Sequence, residues 1–161
     1  MKPKLPIVFI VMTVVIDAMG IGLIIPVMPQ LLLEVLPTAT LGQAAIWGGV
    51  MAMLFSLMQF LFGPMLGSLS DQYGRKPLLL VTLVMMTIGY LIMALAGGIW
   101  LLLFGRIIGG ISSATQSTAT AYIADISKPE EKAGNFGLIS AGFGVGFVLG
   151  PLLGGALVEF G

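Results

Sequence analysis

Five long apolar stretches, at about residues 6–28, 44–68, 78–97, 99–123 and 134–158, constrain what this chain can fold into. Each approaches or exceeds the roughly 20 residues that a helix needs to cross the hydrocarbon core of a bilayer. Lipid gives an open strand edge no hydrogen-bond partner, so such stretches predict an all-α integral membrane bundle. The connections fit that reading. Gln30 to Gln43 carries Glu34, Pro37 and Thr38, Ala96-Gly97-Gly98 makes a tight turn, and Asp125 to Lys132 is polar. Only 9% of the residues are charged and 58% are hydrophobic. A soluble domain carries roughly 25% charge, so water is not the main solvent here. The 23 glycines would weaken soluble helices, but between membrane helices they allow close backbone approach.

The chain has no Cys and no His. Disulfides, thiolate nucleophiles, zinc centres of the usual kind and a serine–histidine triad are therefore excluded. No enzyme, metal or cofactor is expected. Seven basic residues balance seven acidic ones, so net charge points to no nucleic acid, and the expected surroundings are a lipid bilayer. The first apolar run follows Met1-Lys2-Pro3-Lys4. It is too long for the apolar core of a signal peptide and carries Asp17 in its middle, so it reads as a retained helix. Lys2, Lys4, Arg75, Lys76, Lys128 and Lys132 all fall on one side of the alternating topology, and the other side has no Lys or Arg. The positive-inside rule then places the N-terminus in the cytoplasm.

Two charges lie within the spans. Asp17 stands about eleven residues into the first helix, ~16 Å deep at 1.5 Å per residue. An acid at that depth is a candidate for handling a proton or substrate, or else it is a structural carboxylate capping a neighbouring helix. Arg106, in the fourth span, needs a carboxylate or carbonyl partner. It either tunes the protonation of Asp17 or forms a static ion pair with it. Gln59, Gln116, Ser112, Ser113 and Thr115 are polar at membrane depth, and the two glutamines are the better candidates for touching a substrate. A weak internal repeat is also visible. Gly63-Pro64-Met65-Leu66-Gly67 resembles Gly150-Pro151-Leu152-Leu153-Gly154, and Asp17-Ala18-Met19-Gly20 parallels Arg106-Ile107-Ile108-Gly109 at nearly the same offset. A duplicated three-helix unit, inverted in the membrane, would explain both, and its second copy would lack a helix here.

The charged island Gly67-x-Leu69-Ser70-Asp71-x-x-Gly74-Arg75-Lys76 resembles the signature loop between helices two and three of the major facilitator superfamily. Asp17-x-x-Gly20-Ile21-Gly22-x-x-x-Pro26-x-x-Pro29, Gly105-Arg106-x-x-x-Gly110 and Gly146-x-x-x-Gly150-Pro151-x-x-Gly154-Gly155 resemble its drug/proton antiporter branch. The local wording is similar to bacterial tetracycline-resistance exporters. It departs from them at Gly89, where they typically carry an acid before the Tyr of helix three, at Gln72, and in the polar run Ser112 to Gln116.

The resemblance implies an incomplete N-terminal transporter domain over 1–161, helices one to five of an expected twelve, in a bacterial-type inner membrane. It implies proton-coupled efflux of a small amphipathic compound, completed by a C-terminal half. Asp17 and Arg106 would couple protons. Asp71 and Arg75, in the signature loop with Gly67, Gly74 and Lys76, would form a gating cluster with Asp125 at the cytoplasmic end of helix four, unless Arg75 and Lys76 merely set topology. Gly146, Gly150, Pro151, Gly154 and Gly155 would form a rigid seam, or else generic helix packing. The rival readings are a membrane scaffold or partner fragment without transport, and a metabolite symporter of the same fold.

Overall fold

In the computed structural model, which describes residues 5–160, every regular element is an α-helix: α1 Leu5–Val35, α2 Leu41–Tyr73, α3 Arg75–Ala94, α4 Ile99–Ile111, α5 Thr115–Ile126 and α6 Pro129–Phe160. Lys2 and Lys4 lie outside the described residues. With α4 and α5 taken as one span, Ile99–Ile126, five helices are long and apolar enough to cross a membrane. Most run past the apolar stretches that mark them. An apolar run reports only the part in hydrocarbon, whereas the helix continues into the polar boundary until a local signal stops it.

Those signals are readable. α2 begins with a reciprocal cap: the Thr40 amide donates to Gln43 Oε1 at 2.9 Å, and the Gln43 amide donates to Thr40 Oγ1 at 3.3 Å. Gly74 separates α2 from α3 at φ +97°, a conformation that side-chain-bearing residues rarely adopt. The prolines Pro26, Pro29, Pro64 and Pro151 sit inside helices without ending them. Neighbouring helices make this tolerable in a membrane bundle.

The fourth span departs from expectation. An unbroken helix over 99–123 is predicted, but Ser112, Ser113 and Ala114 form a turn that divides it into α4 and α5. The serine hydroxyls supply the reason. Ser112 Oγ donates to the Gly109 carbonyl at 3.0 Å, Ser113 Oγ to Gly110 at 2.7 Å and Ser117 Oγ to Ala114 at 2.9 Å. These bonds compete with the helical ladder, and the Ser113 amide tightens to the Gly110 carbonyl at 3.3 Å.

The most extensive packing joins α1 to α6. Small residues recur every four positions on α6, and each faces the α1 backbone or a side chain. A Cβ at Gly142 would lie 3.1 Å from Val11 Cγ1, one at Gly146 would overlap the Val15 carbonyl, and ones at Gly150 and Gly154 would lie 2.5 and 2.7 Å from the Met19 and Leu23 carbonyls. Reciprocally, a Cβ on Gly22 of α1 would press on Pro151 at 2.8 Å. The expected glycine–proline seam thus lies between α1 and α6. Gly155 does not belong to it, because it has open space where a Cβ would go.

Two apolar clusters fill the interior. One, around Ile24, Met28, Leu32, Met51, Met93 and Leu102, lies towards the Gly97 end of the bundle. The other, around Ile10, Val14, Leu79, Ala119, Ile123 and Ile139, lies towards the Gly74 end. Asp17 and Arg106 fall in sequence between the residues of the two clusters, at a polar level in the middle of the bundle.

Candidate functional site

Asp17 is 5% exposed on α1, and Thr115, the first residue of α5, is fully buried. Thr115 Oγ1 lies 3.4 Å from Thr82 Oγ1 of α3, and Thr82 donates to the Leu79 carbonyl at 3.0 Å. Asp17 and Arg106 line one small cavity of about 20 Å³, together with Phe55, Gly89, Tyr90 and Ser113. Glycines bring these helices together. A Cβ at Gly110 would lie 2.5 Å from the Phe55 carbonyl, and one at Gly105 would lie 3.0 Å from the Gly89 carbonyl. Those close approaches draw α2 and α3 against α4. Gly20, one turn beyond Asp17, leaves room for Tyr90: a Cβ there would lie 2.7 Å from the phenol oxygen.

Asp17 and Arg106 form no direct ion pair among the described residues. The expected static pair is therefore not present in this conformation. The Arg106 guanidinium instead lies over the Phe55 ring, 4.8 Å from its centroid, where the ring face attracts a cation. Its buried Nε has no hydrogen-bond partner. Tyr90 lines the same cavity. The chamber thus holds an acid, a base and a phenol from three different helices. Its volume is far below the 300–1,000 Å³ typical of ligand pockets, so it suits proton chemistry rather than a drug-sized molecule.

A second, open groove of about 790 Å³ has that larger size. Gln59 of α2 and Gln116 of α5 both line it, along with Gly63, Gly67, Ser117 and Thr120. The sequence-predicted glutamines therefore share one surface. Ser113 borders both the groove and the small chamber. Gly67 has nothing within 4 Å of a Cβ placed on it, so it borders open space in the groove wall.

The charged island folds as a compact cluster at the Gly74 end. Arg75 contacts Asp71 at 2.6 Å through one terminal nitrogen and Asp125 at 2.9 Å through Nε, and its other terminal nitrogen donates to Ser70 Oγ. Ser70 is buried and itself donates to the Gly67 carbonyl at 2.7 Å. Lys76 lies 5.7 Å from the Phe9 ring centroid, tying the start of α3 to α1.

Sequence reading does not single out Phe55 or Tyr90 as site residues. Each is an ordinary apolar-run residue until helix pairing places it beside Arg106. The one available signal is the glycine spacing on α4, Gly105, Gly109 and Gly110, which marks where partner helices come close.

A family model, the Major Facilitator Superfamily, matches residues 10–161. The tetracycline resistance protein, class C, of Escherichia coli is 48% identical over 157 residues, which is 98% of this chain and 39% of the relative. The class H protein of Pasteurella multocida is 43% identical over 94% of the chain and 37% of the relative. Multidrug resistance protein 2 of Bacillus subtilis (strain 168) is 34% identical over 89% of the chain and 34% of the relative. The chain thus spans well under half the length of the curated relatives it matches. With five apolar helices, a charged cluster at the α2–α3 junction and a match across residues 10–161, this multi-pass membrane protein belongs to the Major Facilitator Superfamily.

Proposed function

We propose that the chain is the N-terminal part of a proton-coupled exporter of tetracycline-like or other amphipathic drugs, with its N-terminus in the cytoplasm. The observation that carries this reading is the pairing of two unlike compartments. A proton-sized chamber containing Asp17, Tyr90 and Arg106 touches a drug-sized groove lined by Gln59 and Gln116, with Ser113 between them. Asp17 takes up and releases the proton, and Arg106 sets how readily it does so. The groove holds the substrate against the second half of the transporter. Asp71, Arg75 and Asp125 hold one conformation closed at the cytoplasmic end and release it as the halves rock.

The names of the relatives, tetracycline and multidrug resistance proteins, support the drug class. The substrate range need not match that of the tetracycline proteins. Gly89 packs closely on α4: a Cβ there would lie 3.2 Å from the Gly105 carbonyl, so an acid at this position would press on the α4 backbone. Drug accumulation in cells expressing the full-length gene, across a panel that includes tetracyclines, tests the reading. Lower accumulation of at least one amphipathic drug, lost on collapse of the proton gradient and in Asp17→Asn, is expected. Gradient-driven efflux that survives Asp17→Asn would remove Asp17 from the coupling role.

A further inference from the structure

The Arg106 guanidinium has two rival seats within one small cavity. It lies 4.8 Å from the centroid of the Phe55 ring, while Asp17, the one acid among the lining residues, borders the same space of about 20 Å³. The two charges make no ion pair among the described residues, and the buried Nε of Arg106 has no hydrogen-bond partner. A buried donor left unpaired is costly, so hydrogen bonding at Nε is not what keeps the side chain here. The contact the geometry does show is with the ring face. That attraction strengthens where water is excluded, and Ile21, Ile24, Met86 and Met93 make most of the remaining lining apolar.

The ring is placed by the same helix that carries the arginine. A Cβ at Gly110 would lie 2.5 Å from the Phe55 carbonyl, and one at Gly109 would lie 3.5 Å from ring atom Cε2. Gly109 stands three residues after Arg106, on the same side of α4. The missing side chains at these glycines let α2 bring Phe55 against α4, where the guanidinium lies over it. Of the other helices around the chamber, α3 contributes Tyr90 to the lining. The remaining charged residues stand near helix ends: Asp71, Arg75, Lys76 and Asp125 towards Gly74, Glu130, Glu131 and Lys132 at the start of α6, and Glu34 and Glu159 at the far ends of α1 and α6.

We propose that Phe55 is a positioning residue: its ring seats the Arg106 guanidinium while Asp17 carries a proton, and the guanidinium leaves it for the Asp17 carboxylate when the proton departs. This deepens the proton-coupled reading above and rests on it. A cation close to a carboxylate favours the charged form, so a seat that keeps Arg106 on the ring lets Asp17 hold its proton more readily. The O–H bond of Asp17 is the one bond made or broken, and the proton is the one exchanged with water.

Infrared titration of the full-length protein tests this. A protonated carboxyl absorbs apart from a carboxylate, and the Asp17 band is the one that Asp17→Asn removes. Phe55→Leu frees the guanidinium to pair with Asp17, and should lower the midpoint of that band by about one pH unit, a tenfold loss of proton affinity. Phe55→Tyr keeps a ring face and should titrate as the unmodified protein does. In an Arg106→Gln background, Phe55→Leu should move nothing, because no cation is left to release. An unchanged midpoint in Phe55→Leu overturns the role of the ring. So does an equal fall in the Arg106→Gln background, which makes Phe55 a packing residue alone. A second measurement leaves Phe55 intact. The Nε–H resonance of Arg106, assigned with Arg106→Lys in protein carrying isotope-labelled arginine, should show a ring-current shift at low pH and lose it as the Asp17 band titrates. A resonance that stays in place through the titration overturns the proposal. Failure at Phe55 with gradient-driven efflux still lost in Asp17→Asn leaves Asp17 as the coupling acid, whereas efflux that survives Asp17→Asn overturns both readings.

Discussion

At the scale of single residues, the glycines divide into those the packing requires and those it does not. Gly150→Val would drive a side chain into the Met19 carbonyl of α1, where a Cβ has only 2.5 Å. Forcing atoms into a packed seam costs about 1–3 kcal/mol, so Gly150→Val should lower the melting temperature in detergent and the amount of protein in the membrane. Gly155→Ala, with open space around it, should leave both unchanged within ~0.5 kcal/mol. Gly74→Ala tests a different constraint, because φ +97° strains any residue with a Cβ. It should destabilise the α2–α3 junction by about 1–3 kcal/mol, read as a lower melting temperature in detergent. A melting temperature for Gly74→Ala equal to that of the unmodified protein would show that this backbone relaxes freely.

At the scale of elements, the Arg75 cluster joins the α2–α3 junction to the end of α5 through contacts that contribute little stability. The Asp125 carboxylate is about half exposed, and pairs of that kind contribute about 0–1 kcal/mol. Asp125→Asn should therefore barely move the melting point. Its expected effect is on which conformation the protein favours, measured as increased alkylation of a cysteine placed at Ala121 in the groove. A large loss of stability with unchanged alkylation would assign Asp125 to folding instead. The cluster was legible in the sequence because Asp71 and Arg75 are one helical turn apart and the signature pattern marks both. Asp125 was reachable only through the family resemblance, since fifty residues separate it from Arg75. The break in the fourth span was hidden for another reason. Apolar periodicity runs across residues 99–123, and hydroxyl back-bonding at Ser112 and Ser113 becomes decisive only with glycines preceding them.

At the scale of the whole molecule, the five spans and their all-helical character were legible because bilayer thickness fixes the length of an apolar run. The chamber was half legible. Asp17 and Arg106 declare themselves as charges in lipid, but their arrangement without a direct ion pair, with Phe55 and Tyr90 around them, depends on which helices pair. Single-helix patterns do not encode that pairing. The orientation carries its own test. A cysteine at Thr38 should react with a membrane-impermeant maleimide in intact cells, and one at Gln72 should react only after the membrane is opened. The reverse result would invert the topology inferred from the basic residues.

The glycine seam between α1 and α6 sets an order of events during synthesis. The α6 sequence begins at Pro129, more than ninety residues after α1 ends at Val35. At the usual pace of translation, about 5–20 residues per second, α1 must wait on the order of ten seconds for the surface it fits best. Throughout that interval Asp17 sits in a helix lacking this partner. Early folding is then a problem of sheltering one acid in lipid, and insertion factors or the first hairpin with α2 must shield it until the fifth span arrives.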